Sequence, residues 1–176
     1  QIGNNSMAHI AGSNYPLAGV LEDYEYYKDE PVDVKMSHLS SLLEFVVKND
    51  SKEPIAVTDI VFTATEDVVG TYFIDFTDIN NVVFTPSGTN YVSSAAKLKV
   101  SGGEPIAAGS TAKFYMAVKP FVATADKTLT LLINDCEVEK KLTKDEIEFL
   151  EEISRENFQR DFEQWVESME FSLGGF

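Results

Sequence analysis

The sequence has very little of what disulfide bonding and metal binding require. It contains one cysteine, Cys136, so no disulfide can form within the chain. The acidic neighbours of Cys136 do not favour a reactive thiolate, and we interpret it as a packing residue. The two histidines, His9 and His38, are far apart in the sequence and have no metal-ligand spacing. We therefore expect no metal site built on these residues.

Motifs of nucleotide-binding and hydrolytic enzymes are also absent. The chain has neither G-x-G-x-x-G nor the G-x-x-x-x-G-K loop that cradles phosphates, and no serine lies in a G-x-S-x-G elbow. Carboxylate pairs are uninformative because 29 residues are acidic. Without a nucleophile, a metal-ligand set or an acid–base pair, we predict that the protein is not an enzyme and needs no cofactor.

Positive charge and long apolar runs are both scarce. Fourteen basic residues against 29 acidic ones give a net charge of −15 at pH 7. This balance argues against a nucleic-acid partner, because phosphate binding needs clustered lysine and arginine. No run of about 18 apolar residues occurs, so we predict no transmembrane segment. The start Gln1–Ser6 lacks the basic and apolar regions of a signal peptide, so we expect a mature or trimmed chain.

What is present divides into three parts by its periodicity. Residues 1–31 are punctuated by glycine and proline and predict a loop-rich lead-in. Residues 32–142 alternate polar and apolar residues in short runs separated by turn signals, which is typical of β-strands. Residues 143–176 show helical spacing instead. We predict a mainly β protein, with a β-sandwich lobe over residues 32–142 followed by an acidic amphipathic helix and tail.

The first strand of the β region shows the alternation most clearly. Leu43, Phe45 and Val47 lie on one face, and the turn 49–54 reverses the chain into a return strand at 55–62, which predicts a hairpin. Later strands alternate in the same way. The residues that we expect to face the core there are Phe114, Met116, Val118, Leu129, Leu131 and Ile133. About seven such strands indicate a sandwich or a barrel.

The C-terminal part begins with a capping box, in which Thr143 is followed three residues later by Glu146. An apolar stripe flanked by acidic faces follows and predicts an amphipathic helix of about 25 residues that ends at 174–175. The aromatic residues of this stripe are too apolar to face water. They are Phe158, Phe162 and Trp165. We expect them either to cover this chain's own sheet or to contact a partner.

Two further groups of residues are candidates for binding. Tyr24, Tyr26 and Tyr27 lie among acidic residues and form a candidate interaction surface, since tyrosines are enriched at interfaces. The alternative is that these tyrosines anchor a loop on the core. The segment 75–81 has several oxygen donors, as calcium sites do, but it lacks the glycine and the distal glutamate of an EF-hand loop. We interpret it as a solvated turn.

Met36-Ser37-His38-Leu39 runs into the alternating strand Leu42-Leu43-Glu44-Phe45, and short pieces with a matching order and spacing lie on both sides of it. Together the pieces cover residues 4–10, 34–45, 49–51, 55–60, 70–72, 106–115, 119–121 and 128–130. In this order and spacing they resemble the fimbrillin-like proteins of Bacteroides-type bacteria, and the resemblance extends over residues 3–142.

This resemblance implies a transthyretin-like, Greek-key β-sandwich lobe, exported as a lipoprotein precursor and held at the outer membrane. Members of the family serve as pilus subunits, or as anchor and tip proteins, on the cell surface. They assemble by strand exchange, in which a neighbour's strand fills the groove left by a strand lost to proteolysis. Members usually carry a second lobe and a lipid-bearing cysteine ahead of the first strand, whereas this sequence starts at Gln1 and has a predicted helix after Leu142. We therefore expect either a trimmed or shortened member or a lobe adapted to a different partner.

We therefore predict a cell-surface structural or adhesion protein of the pilus or fimbria type. Its expected partners are other pilin-like subunits, joined by strand exchange, or ligands on host and bacterial surfaces. The alternative is a glycan-binding module on the same sandwich, with Tyr24, Tyr26, Tyr27 or Tyr72 as stacking platforms. Glycan binding that is lost when these tyrosines are replaced by alanine would favour the alternative, whereas buried tyrosines would contradict it.

Overall fold

The computed structural model describes residues 1–19, 34, 36–78, 81–122, 128–141 and 170–173, and over these residues the chain is mainly β. The described helices are α1 (Ala8–Ser13) and a single 3-10 turn (Thr89–Tyr91). The strands are β1 (Ile2–Gly3), β2 (Leu17–Ala18), β3 (Ser37–His38), β4 (Ser41–Asn49), β5 (Asp59–Thr63), β6 (Val69–Gly70), β7 (Tyr72–Asp75), β8 (Val83–Pro86), β9 (Val92–Ser93), β10 (Ala95–Val100), β11 (Thr111–Val118), β12 (Thr128–Ile133), β13 (Cys136–Lys141) and β14 (Glu170–Leu173).

The larger sheet has five strands in the order β1-β10-β5-β12-β13. All neighbours are antiparallel except β1, which runs parallel to β10. Leu98, Ile60 and Ile133 stand opposite one another on three adjacent strands, and all three are completely buried. Since side chains alternate along a strand, this row defines the inner face of the sheet. The prediction that Leu129, Leu131 and Ile133 face the core is confirmed.

The smaller of the two main sheets has three strands in the order β11-β4-β14, and three two-stranded sheets, β2-β3, β6-β9 and β7-β8, complete the pairings among the described residues. Every second residue of β4 is buried, from Leu43 to Asn49, as the alternation predicts. Phe45 stands opposite Phe114 of β11, and both are nearly inaccessible to water. The predicted inward residues of both strands are therefore confirmed.

The inner faces of the two sheets share one hydrophobic core. Phe45 of the smaller sheet lies 5.9 Å from Phe62 of the larger one, measured between ring centroids, and Phe121 lies 6.0 Å from Phe62 on another side. Aromatic pairs at this separation add to the free energy gained by burying their apolar surface. These rings link the two sheets near the middle of the core.

The predicted hairpin of β4 and β5 is wrong. The two strands lie in different sheets, where β4 pairs with β11 and β14, and β5 pairs with β10 and β12. Between β4 and β5 the chain passes from one sheet to the other. In this connection Ile55 forms an isolated bridge with Ile106. Alternation shows that a segment is a strand with one buried face, but it carries no information about which strand lies beside it.

Part of the predicted C-terminal helix is also wrong. Residues 170–173 form strand β14, whereas the rest of the predicted helix lies outside the described residues. In this stretch polar and apolar residues alternate as Glu170, Phe171, Ser172 and Leu173, which suits a strand as well as a helix end. Pairing with β4 supplies the backbone partners that decide between the two, because tertiary context overrides local propensity.

The tight turn between β12 and β13 carries a prediction about stability. Asn134 and Asp135 both have positive φ values, 48° and 67°, as a two-residue hairpin turn requires. The Asn134 side chain also accepts a hydrogen bond from the Thr58 backbone N–H at 2.7 Å and donates one to the Ala56 carbonyl at 2.6 Å. We expect Asn134→Ala to lower the free energy of unfolding by about 2 kcal/mol, measured by urea denaturation.

The neighbouring position offers the opposite change as a control. Asp135→Gly is expected to raise the free energy of unfolding by about 0.5 kcal/mol, because glycine adopts positive φ without steric cost. If both substitutions destabilised the protein equally, the turn geometry would not be what limits stability here.

Candidate strand-docking site beside β4

The most distinctive site in the fold is the edge of β4 that receives the C-terminal strand. β14 runs parallel to β4, with Glu170 opposite Val46 and Leu173 opposite Asn49. Phe171 takes the register position of Val47, which is completely buried, as is Asn49. The apolar residues of β14 thus occupy the positions in register with the buried face of β4.

β14 pairs with an edge of β4 that no other strand covers among the described residues. β4 pairs with β11 on one side, and on the other side β14 is the only strand beside it among the described residues. An unpaired edge presents a row of free backbone N–H and C=O groups and templates the addition of another strand. The β4 edge is therefore a binding site for an extended segment, and here this chain's own residues 170–173 fill it.

The connection to β14 is long. β14 is a parallel neighbour of β4, and parallel neighbours cannot be joined by a tight turn. The chain reaches β14 from β13 through residues 142–169. That segment lies outside the described residues. Over the described part of the chain, β14 has β4 as its strand partner.

Asn49 fixes the end of the docking site. Its side-chain amide donates to the backbone carbonyls of Glu53 and Ile106, each at 2.8 Å, and its side-chain oxygen accepts from the Ser51 N–H at 2.9 Å and the Ser51 hydroxyl at 2.7 Å. The bonds to Glu53 and Ser51 close the turn after β4, and the bond to Ile106 ties this turn to the loop before β11. This role is not predictable from the sequence, because the residue pattern does not distinguish a buried asparagine from an exposed asparagine in a turn.

The opposite edge of the smaller sheet is capped by side chains. The Gln1 amide group donates to the Ala117 carbonyl at 2.5 Å, and its oxygen accepts from the Ala117 N–H at 3.2 Å. His9 Nε2 lies 2.9 Å from the Tyr115 carbonyl oxygen. Neither Gln1 nor His9 was predicted to have a role, and nothing in their sequence neighbourhood points to β11.

The predicted interaction surface lies outside the part of the chain that the structure describes. Tyr24, Tyr26 and Tyr27 lie outside the described residues, as do the aromatic residues of the predicted helix. The latter are Phe158, Phe162 and Trp165.

Tyr72 of β7 is described, and its ring is engaged. The ring meets Phe84 edge-on at 6.0 Å between centroids, and its hydroxyl lies 3.4 Å from the carbonyl oxygens of Asp67 and Val69. Burial raises the pKa of the Tyr72 hydroxyl, and the carboxylates of Asp67 and Glu66 raise it further. Tyr72 is thus half-buried, with its ring against Phe84 and its hydroxyl against the backbone of Asp67 and Val69.

The oxygen-rich segment 75–81 is partly described, and its first residue makes a local turn. Asp75 accepts hydrogen bonds from the Thr77 N–H at 3.0 Å and from the Thr77 hydroxyl at 2.8 Å, and these bonds lower the pKa of the Asp75 carboxyl. Ile79 and Asn80 are outside the described residues. Among the residues that are described, no group of three or more histidine, cysteine or acidic side chains is arranged to hold a metal ion.

The sequence predicts that Cys136 is a packing residue and that no segment spans a membrane. Cys136 is half-buried and packs against the core, as its interpretation as a packing residue requires. Within the described ranges, no helix is long and apolar enough to cross a membrane.

No protein-family model matches the chain, and no curated protein matches it either. The fold and the β4 edge are therefore the features that bear on the function of the chain.

Proposed function

We propose that this chain is a structural subunit of a cell-surface fibre or adhesion complex and joins its neighbours by strand exchange at the β4 edge. The observation that carries the proposal is the pairing of residues 170–173 with β4, far along the chain from the strands that precede them. A strand that docks from a distant segment can dock equally well onto the same edge of a second copy.

The resemblance of residues 3–142 to the fimbrillin-like proteins supports the same proposal. It implies that the two sheets form a transthyretin-like, Greek-key sandwich and that the protein resides at the outer surface of the cell. The acidic composition, with a net charge of −15, suits a subunit that must stay soluble until it pairs with a specific partner. Other pilin-like subunits or surface ligands would be its partners.

The choice between docking within one chain and docking between chains depends on concentration. A tethered strand has an effective concentration on the order of millimolar at its own docking site, so self-docking dominates in dilute protein. Docking between subunits takes over when the internal strand is removed or prevented from pairing. Strand exchange is thus open to a direct test with a synthetic peptide.

The test uses a peptide of residues 166–176 and a variant that cannot use its own strand. Ser172→Pro removes one backbone N–H and disfavours strand pairing, which leaves the β4 edge open. We expect the labelled peptide to bind this variant with a Kd in the micromolar range, measured by fluorescence anisotropy. We expect binding to the wild-type chain to be at least tenfold weaker, because its own β14 occupies the edge.

Two controls make the result specific. A peptide with the same Ser172→Pro change should not bind, whereas a Glu170→Gln peptide should bind like the wild type, because Glu170 lies opposite Val46 on the less buried face of β4. Equal binding of all peptides, or no binding to the open variant, would overturn strand exchange at β4. The glycan-binding alternative has no supporting contact among the described residues.

A further inference from the structure

The N-terminal residues lie across the seam between the two sheets. β10 of the larger sheet and β11 of the smaller one are close neighbours, and β1 pairs with β10 along this line. The Gln1 carbonyl accepts a hydrogen bond from the Lys99 N–H at 3.0 Å, while the Gln1 side chain bonds both backbone groups of Ala117 in β11. One residue therefore holds both sheets.

His9 makes a second link across the same seam. Its Nε2 atom lies 2.9 Å from the Tyr115 carbonyl oxygen of β11, and its ring packs so closely against Gly3 of β1 that a Cβ atom at Gly3 would clash with it. The glycine is thus needed for the ring to reach β11. The side chain of His9 therefore lies between β1 of the larger sheet and β11 of the smaller sheet.

The hydrogen bond to β11 determines which ring nitrogen carries the proton. A carbonyl oxygen only accepts hydrogen bonds, so Nε2 of His9 donates, and in the neutral ring Nδ1 then carries the lone pair. Nδ1 is buried and has no hydrogen-bond partner among the described residues. A second proton on Nδ1 would place an N–H group and a positive charge where no acceptor meets them.

The groups around the imidazole do not compensate such a charge. Of the elements that pack on α1, β1 carries no titratable side chain, and β11 carries Lys113 and Tyr115. Lys113 Nζ lies 2.8 Å from the carboxylate of Glu44. Desolvation, together with that carboxylate, raises the pKa of the Tyr115 hydroxyl to about 12, so this group is neutral. Lys97 and Lys99 of β10 are exposed, and the N-terminal ammonium of Gln1 donates a hydrogen bond to the Lys97 carbonyl at 2.8 Å.

We propose that His9 is an acid-sensitive clasp, which in its neutral form holds residues 1–14 across the seam between β10 and β11 and on protonation releases them. Release removes the caps from Tyr115 and Ala117 and leaves the outer edge of β11 open to strand pairing. This device is independent of strand exchange at β4.

The experiment is amide hydrogen exchange of the full chain followed by NMR at pH 7.5 and pH 5.5, corrected for intrinsic exchange. The reporters are the Ala117 N–H, which bonds the Gln1 side chain, and the Ser101 N–H, which bonds the Gly3 carbonyl at 2.6 Å. We expect their protection factors to fall at least tenfold at pH 5.5, while amides within β5 keep theirs.

The two histidines of the chain provide matched variants. His38→Gln should retain the full pH dependence, since the ring of His38 stacks on Tyr15, with 3.8 Å between ring centroids, and not on Gly3. His9→Gln should lose it, because the glutamine amide donates a hydrogen bond without titrating. Gly3→Ala should displace the ring and lower the protection of Ala117 at both pH values.

Three results would overturn the clasp. Protection of Ala117 and Ser101 in the wild-type chain that is equal at the two pH values excludes acid release directly, whether or not the variants fold. The same tenfold fall in His9→Gln assigns the pH dependence to another group. Unchanged protection in Gly3→Ala shows that the packing of the ring on β1 does not hold the segment.

Discussion

Asn49→Asp is expected to lower the free energy of unfolding by about 4 kcal/mol at pH 7. The Asn49 amide donates to the carbonyls of Glu53 and Ile106, and the substitution replaces this donor with a carboxylate oxygen that faces two acceptors. The position is completely buried, so the new charge is also desolvated. Leaving a buried polar group facing like partners is among the most destabilising changes a single substitution can make.

The same variant has a predictable pH dependence. Burial and the facing carbonyls raise the pKa of the introduced carboxyl in the folded state above its unfolded value of about 4. A raised folded-state pKa means that the stability lost to the charge returns as the pH falls from the folded-state pKa toward the unfolded value, and it is fully recovered below the unfolded value, where the group is protonated in both states. Urea denaturation at pH 7 and pH 4, referred to the wild-type chain at each pH, should show a smaller loss at pH 4.

Asn81→Asp is the matched control for this effect. Asn81 is exposed, and a carboxylate there remains hydrated, so we expect a change within about 0.5 kcal/mol at either pH. If the Asn49 substitution cost no more than this control, the buried hydrogen-bond network at the end of β4 would have no part in stability.

Phe45→Ala is expected to cost about 4 kcal/mol and to shift the urea midpoint by about 2 M. Phe45 is 1 % exposed, stands opposite Phe114 within its own sheet and meets Phe62 of the other sheet. Removing the ring leaves a cavity between the sheets and takes away contacts from both. Because the ring contacts both sheets, we expect the substitution to destabilise the whole core. Unfolding should therefore remain a single cooperative transition.

Phe73→Ala supplies the comparison with the same chemical change on the surface. Phe73 of β7 is 69 % exposed, so its replacement should alter the free energy of unfolding by no more than about 0.5 kcal/mol. Equal losses for Phe45 and Phe73 in the same urea titration would mean that the two sheets do not share the core described above.

The candidate docking site shows why some features could be predicted from the sequence and others could not. β4 was found with its inward residues because alternation is a local property of nine consecutive residues. β14 was assigned to a helix, because four alternating residues at the end of a helical pattern carry too weak a local signal. Its identity as a strand depends on Val46, Val47 and their neighbours, which lie more than a hundred positions earlier in the chain.

The contacts of Gln1 and His9 are unpredictable for the same reason. Each side chain bonds the backbone of β11, and a backbone carbonyl carries no residue type that could be recognised in the sequence. The buried amide of Asn49 is similar, since its partners are the carbonyls of Glu53 and Ile106. Polar side chains that bind distant backbone acquire their role only when the fold brings that backbone to them.

By itself, the sequence determined that the protein is mainly β, that it is strongly acidic, and which residues of each long strand face the core. These properties follow from composition and from the period of two, and both are local. Only the tertiary structure decided that β4 and β5 belong to different sheets, that residues 170–173 pair with β4, and that His9 spans the seam. Strand partners are chosen by packing and hydrogen bonding between segments distant in sequence, which no local pattern records.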